Sequence, residues 1–359
     1  MTSDKHICVR SSHIEDHTDE KLMVLDLTSV NHCLQFLPYK ADGAMVSPPS
    51  SNGHDYLLAL KVGDTMVVVG LEQDSQTHYS CDITEVQYWT WVSSDTLAFV
   101  TDNDVLHWTV AEETTPQKVF CRHSRLNYSE VVGYKADNTM TWFAVTGLLP
   151  QTDGIYGVSQ LYFTDKQLTQ CITAHAVTFT EYRFHGNKFP STVLCVAGRE
   201  SNGHGKVDVI ELEPHVPGNL ALGTHCDLIP FSGSGEKYDF PISIQASSAY
   251  GVLYVITKYG SLYLSDLETA TCLCCIRIST AIVFTCALSS LSQGIIVVNR
   301  SGQVQAVDIK PHRLIHHVEN VLKKSAHAER LRKVLPLVPL SPTTCNDENQ
   351  EASNRRPSS

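Results

Sequence analysis

A chain of 359 residues, 42% hydrophobic and 18% charged, carries enough apolar material to bury a large core as one sizeable β domain. Its formal net charge of -11 disfavours binding of nucleic acid or of an anionic membrane through the general surface. Met1-Thr-Ser-Asp-Lys5 lacks the apolar run of a secretory leader, and 12 cysteines in so long a chain do not make a small disulfide scaffold, so the reading is a reducing, cytosolic compartment.

Taken in order, residues 1–39 offer about three β-prone runs, His6–Arg10, Leu22–Leu27 and Cys33–Leu37. Repeating units follow over 44–83, over 86–121 (opening on Val86-Gln-Tyr-Trp-Thr-Trp91), over 130–172 and over 176–214. A polar link rich in Gly, Pro and Ser is expected from Val216 to Tyr238. The clearest unit is Phe240–Ile278, whose four apolar runs are separated by Ser-Ala-Tyr-Gly, Lys-Tyr-Gly and Asp-Leu-Glu-Thr turns. A last unit spans Val283–Ile309.

The shared hairpin, an apolar run feeding an alternating strand through a tight turn, recurs at roughly 40 to 55 residues, the period of four-stranded propeller blades. Seven copies predict an all-β, seven-bladed β-propeller over 1–310, with first and last blades incomplete. The uncharged run Ile278–Asn299 contains Ser, Thr, Gln and Gly throughout and reads as two buried strands and a turn, not a membrane span. From Leu314 to Leu335 the spacing of Val318, Val321, Leu322, Ala326, Leu331 and Val334 predicts a helix, the start of a helical linker over 311–336. The polar stretch 337–359 is expected to be disordered.

Chemistry is sparse. Gly198–Val207 and Gly233–Lys237 look like phosphate loops but lack Gly-x4-Gly-Lys-Ser/Thr, and no Gly-x-Ser-x-Gly elbow occurs. Cys272, Cys274 and Cys275 cluster without a second pair at zinc-site spacing, so core packing outweighs metal. The 17 histidines are scattered, and the carboxylates Asp64, Asp102 and Asp104 stand where β-turns are expected. No catalytic residue, cofactor or metal is expected.

Several strings are specific enough to carry a resemblance. Tyr88-Trp-Thr-Trp91, Phe99-Val-Thr-Asp-Asn-Asp-Val-Leu-His-Trp108, Arg122-His-Ser124, Asp239-Phe-Pro241, Ile256-Thr-Lys-Tyr-Gly260, Asp266-Leu-Glu-Thr269, Val298-Asn-Arg300 and Gly302-Gln-Val304 resemble, in order, the N-terminal domain of the clathrin heavy chain. The resemblance covers about residues 2–322. It implies a seven-bladed propeller that binds short linear motifs of endocytic adaptors in grooves between blades and reaches membranes only through those adaptors. It implies a place in coated pits and vesicles, with other clathrin components as further partners. The resemblance also places Met1 about thirty residues into the family's chain and lacks its helical leg. It therefore implies loss of the strand closing the last blade and of an inner strand of the first, and no self-trimerisation. The alternative is a propeller scaffold, or a fragment, that has lost clathrin-box binding.

Carried over residue by residue, the groove between the first and second blades falls on Leu58, Thr65, Val67, Val69, Asp74 and Gln76. The family has Gln, an aromatic and two lysines where this chain has Val67, Val69, Asp74 and Gln76, and basic residues where Phe36 and Leu37 stand. Lost cations and a gained carboxylate imply weakened or altered binding of acidic, Leu-rich peptides. Asp74 and Gln76 read equally well as a polar surface turn. The site at the centre of the face matches Glu130 and Val132, and the groove between the fourth and fifth blades matches Lys166 and Gln170, with Trp142 packing a strand nearby.

Overall fold

The computed structural model describes residues 3, 5–11, 21–28, 34–50, 56–71, 78–110, 115–152, 154–200, 202–221, 224–229 and 238–335. Its first unit, residues 1–308, is built of antiparallel sheets. Blade 1 holds β1 (His6–Ser11), β2 (Lys21–Asp26) and β3 (Leu34–Leu37). Blade 2 holds β4 (Gly43–Val46), β5 (Leu57–Val62), β6 (Thr65–Gly70) and β7 (His78–Asp82). Blade 3 holds β8 (Tyr88–Trp91), β9 (Thr96–Val100), β10 (Asp104–Thr109) and β11 (Gln117–Cys121). Blade 4 holds β12 (Glu130–Ala136), β13 (Trp142–Gln151), β14 (Gly154–Phe163) and β15 (Leu168–Thr173). Blade 5 holds β16 (Ala176–Tyr182), β17 (Ser191–Arg199), β18 (Gly205–Glu211) and β19 (Thr224–Ile229). Blade 6 holds β20 (Pro241–Ser247), β21 (Val252–Thr257), β22 (Ser261–Asp266) and β23 (Cys272–Arg277). Blade 7 holds β24 (Val283–Leu288), β25 (Ile295–Asn299) and β26 (Val304–Val307).

Seven meanders give the seven-bladed β-propeller that the repeat predicts, with three-stranded sheets at both ends. The uncharged run forms β24 and β25, and among the described residues no helix is long and apolar enough to cross a membrane. Two expectations for the propeller need correction. The polar link after residue 214 contains β19, the outer strand of blade 5; its Thr-His-Cys-Asp-Leu-Ile sequence is exposed along most of its length, so the apolar period that marks the other strands is absent. In blade 1 the inner position is filled, because β1 lies beside β4 just as β12 lies beside β16 and β20 beside β24. Among the described residues, the unfilled position in blades 1 and 7 is the outer one.

Alternation along each strand sends side chains to both faces of a blade, and successive blades from the first to the sixth pack face to face. Leu58, Leu60 and Val69 of blade 2 meet Leu22 and Val24 of blade 1. Val193, Cys195 and Val209 of blade 5 meet Ile244, Leu253 and Tyr263 of blade 6. With two buried faces, the middle strands of blade 6 are buried along their whole length, and so read as continuous apolar runs. The β21–β22 turn needs Gly260: its φ is +87°, and a Cβ there would stand 2.3 Å from the Ser279 carbonyl oxygen.

The strings that carry the family resemblance are largely staples. The Trp91 indole donates to the Met45 carbonyl (3.0 Å), joining blades 3 and 2. Arg122 donates to the Leu126 carbonyl (2.6 Å), and His123 N–H donates to Gln160 Oε1 (2.8 Å), joining blades 3 and 4. Asp266 Oδ1 accepts from the backbone N–H groups of Glu268 (3.0 Å) and Thr269 (2.9 Å), while Leu267 is fully buried. Arg199 of blade 5 donates to the carbonyl of Asp239 (2.8 Å) at the entrance to blade 6.

The second unit, residues 309–359, is described to residue 335. The single helix expected over 314–335 is broken: α1 (Pro311–His316) runs into a π turn (His317–Val321), and α2 (Ser325–Val334) starts afresh. Lys323, at φ +58°, makes the break. The break resets the apolar face, so Leu314, Ile315, Val318, Ala328 and Leu331 are buried whereas Val321, Ala326 and Val334 are exposed. The stretch 337–359 and the Gly233–Lys237 loop lie outside the described residues.

Candidate functional site

Blades 4 and 5 pack through a buried apolar seam: Ala144 and Leu161 from blade 4, Val177, Leu194 and Val196 from blade 5, and Leu212 just past β18. Trp142 and Ile172 lie half-buried on it. Trp142 opens β13 and pairs in register with Phe163 at the end of β14, and their rings stack at 4.5 Å and 9°. The buried carboxylate of Asp137 fixes the approach to Trp142, its Oδ1 accepting from the backbone N–H groups of Thr141 and Trp142, both at 2.8 Å. The Trp142 indole N–H donates to the Glu213 carbonyl of blade 5 (2.8 Å), so the ring bridges both walls.

Lys166 sits in the β14–β15 turn, with its Nζ 6.0 Å from the centroid of the Phe163 ring. It forms an ion pair with the carboxylate of Glu213 across the groove. Gln170 lies on β15 opposite Leu161 and is exposed. It shares a strand face with Ile172, two residues on, which packs on the seam, so the amide stands on the groove wall. The structure thus gathers Lys166, Gln170 and Trp142 at one groove, and adds Phe163, Asp137 and Glu213. Glu213 is 47 residues from Lys166 in sequence, which hides the pairing from any local pattern.

The first groove is different. Leu58 and Val69 are buried in the packing between blades 1 and 2, with Val67 and Leu37 half-buried against them. Thr65 donates through Oγ1 to Asp82 (2.9 Å), and Phe36 is 60% exposed. Asp74 and Gln76 lie outside the described residues. At the centre of the face, Glu130 and Val132 are exposed on the inner strand β12, Val132 at a register shift between Val131 and Gly133.

Among the described residues no group of three or more His, Cys, Asp or Glu side chains is placed to hold a metal ion. Cys81, Cys195 and Cys286 are buried, and burial pushes the Cys81 thiol up to about 12, far from a reactive thiolate. His107, on β10, meets the Tyr134 hydroxyl of blade 4 at 2.8 Å and stands edge-on to Phe143; burial pulls its pKa down to about 4. His175 is buried too, its Nε2–H on the Ile155 carbonyl and its Nδ1 accepting from Arg199 N–H. Both histidines are structural.

Folded as it is, the chain is a seven-bladed β-propeller whose fourth and fifth blades are joined by Trp142, Lys166 and Glu213. In sequence it is 33% identical to the clathrin heavy chain of Drosophila melanogaster over 331 residues, 92% of this chain and 19% of that protein. It is also 33% identical to clathrin heavy chain 2 of Homo sapiens over 323 residues (90% and 19%), and to the clathrin heavy chain of Dictyostelium discoideum over 323 residues (90% and 18%). The chain is a clathrin heavy-chain-type N-terminal propeller, and it spans about a fifth of the length of these relatives. No family model matches. Among solved structures, a chain of the mitotic checkpoint complex (TM-score 0.56, 13% identity, 86% of this chain and 88% of that one) shares the fold. So does a chain of the COPII outer coat vertex on membranes (TM-score 0.55, 11%, 84% and 79%).

Proposed function

We propose that this propeller is a non-enzymatic interaction module that binds short linear motifs of endocytic adaptors in the groove between blades 4 and 5. Its setting would be clathrin-coated vesicle formation, on the cytoplasmic face of coated pits and vesicles. The observation that carries the reading is the prebuilt aromatic platform of Trp142 on Phe163, flanked by Lys166 and Gln170. An extended peptide laid along such a wall sets alternate side chains against Trp142 and the half-buried Ile172, while Gln170 satisfies its backbone. Single contacts of this kind are weak, and many copies in a coat supply avidity.

A second reading, a propeller scaffold without clathrin-box binding, draws on the first groove, where Leu58 and Val69 are committed to the core. Fluorescence polarisation of the purified chain separates the two. Binding of a Leu-rich peptide that Lys166→Ala/Gln170→Ala abolishes, with no binding of an acidic Leu-rich clathrin-box peptide, supports the fourth-to-fifth groove. Folded protein that binds neither peptide moves the scaffold reading ahead.

A further inference from the structure

We infer that Glu213 sets the charge preference of the groove between blades 4 and 5, making it a site for apolar extended peptides with uncharged flanks and selecting against acidic ones. The inference rests on the proposed peptide-binding function and names the ligand class of that same groove.

Glu213 is placed by two independent contacts. Its carbonyl oxygen accepts the Trp142 indole N–H at 2.8 Å, and Leu212 beside it is buried in the seam. Its carboxylate, with that backbone anchored, pairs with Lys166. Lys166 is the cation that stands over the aromatic platform, with Nζ 6.0 Å from the Phe163 centroid. Asp165 precedes it, exposed, its carboxylate accepting from Thr164 Oγ1 at 3.4 Å. The charges named at the groove edge are therefore one cation and two carboxylates.

A ligand carboxylate that approaches Lys166 meets an ammonium already neutralised. To reach it, the ligand must displace Glu213, which stays tethered through its backbone as a like charge beside the newcomer. An uncharged ligand leaves the pair intact and uses only Trp142, Ile172 and Gln170. The pair is solvent-exposed on both sides (53% and 62%), so its own contribution to folding is small and its consequence is selectivity. Replacing the carboxylate by an amide of the same shape keeps the carbonyl that holds Trp142 and leaves Lys166 free to attract.

The test uses two fluorescent octapeptides, one alternating Leu and Ser, the other alternating Leu and Asp, titrated against the wild-type chain, Glu213→Gln and Lys166→Ala. Wild type is expected to bind the Leu/Ser peptide more tightly. Glu213→Gln should raise the affinity for the Leu/Asp peptide relative to the Leu/Ser peptide by about threefold to tenfold at low ionic strength, a gain that shrinks in high salt. Lys166→Ala placed on Glu213→Gln should remove the gain. A ratio of the two affinities that Glu213→Gln does not move, or a wild type that prefers the Leu/Asp peptide, overturns the role of Glu213 while leaving groove binding in place. Wild type that binds neither peptide overturns the groove reading itself and this inference with it.

Discussion

The indole N–H of Trp142 donates to the carbonyl oxygen of Glu213 at 2.8 Å, while the carboxylate of the same Glu213 pairs with Lys166. One residue of blade 5 thus pins the aromatic platform of blade 4 through its backbone and neutralises the neighbouring cation through its side chain. Inter-blade packing and local charge meet at Glu213, and the two can be separated, because side-chain substitutions leave the carbonyl in place.

Trp142→Ala removes both the stack on Phe163 and the bridge to blade 5. For a half-buried aromatic the expected loss is about 2 kcal/mol of stability. Peptide affinity at this groove should fall at least about tenfold, as for a central aromatic anchor. Chemical denaturation and polarisation on the same protein check both numbers. Trp142→Phe should recover most of the affinity and less of the stability, since it keeps the stack and loses the N–H.

His107 makes stability depend on pH. Its folded pKa of about 4 lies below the ordinary value of 6.5, so the unfolded chain binds more protons between the two. Stability from this residue is fully present above about pH 6.5 and is lost as pH falls through 4, by on the order of 3 kcal/mol in all. His175, lowered by the same cause, acts in the same direction. Urea unfolding at neutral and acidic pH should show the loss, and His107→Gln should flatten its slope. An unchanged slope in that variant would sink the assignment.

Asp266 tests whether the Asp-Leu-Glu-Thr string is structural. Its Oδ1 accepts from Glu268 N–H, Thr269 N–H and the Thr269 hydroxyl. Asp266→Ala removes the acceptor these groups share in a turn whose Leu267 is fully buried, and should cost about 1 to 3 kcal/mol. Asp266→Asn keeps an acceptor at the same place and should cost about 1 kcal/mol or less. Thermal unfolding of the two variants decides the matter, and equal losses would contradict it.

Gly260→Ala should be the most damaging single methyl in blade 6. The position combines φ of +87° with a Cβ site 2.3 Å from backbone at Ser279, so both strain and a clash oppose it. A loss of at least about 3 kcal/mol, or failure to yield folded protein, is expected. Gly302→Ala is the control: its φ is +76° but nothing lies within 4 Å of the added carbon, so it carries the backbone strain alone.

Local chemistry determined most of the architecture. Apolar runs at the strand period, cut by Gly and Asp turns and repeated seven times, leave a propeller as the way to bury both faces of every blade, and blade 6 shows this in the full burial of Leu253 and Val255. Where local chemistry was silent, the fold decided. The outer strand β19 carries Thr, His, Cys and Asp on an exposed edge and has no period to read. The helix over 314–335 breaks at Lys323 because one residue takes a left-handed φ that its side chain does not announce. The same division runs through the groove. Lys166 and Gln170 are legible through the family likeness, both within one blade, whereas Trp142 reads only as strand packing nearby. Glu213 is not legible, since an ion pair between residues 47 apart exists only once two blades stand side by side, and no periodicity encodes which loops face each other across a rim.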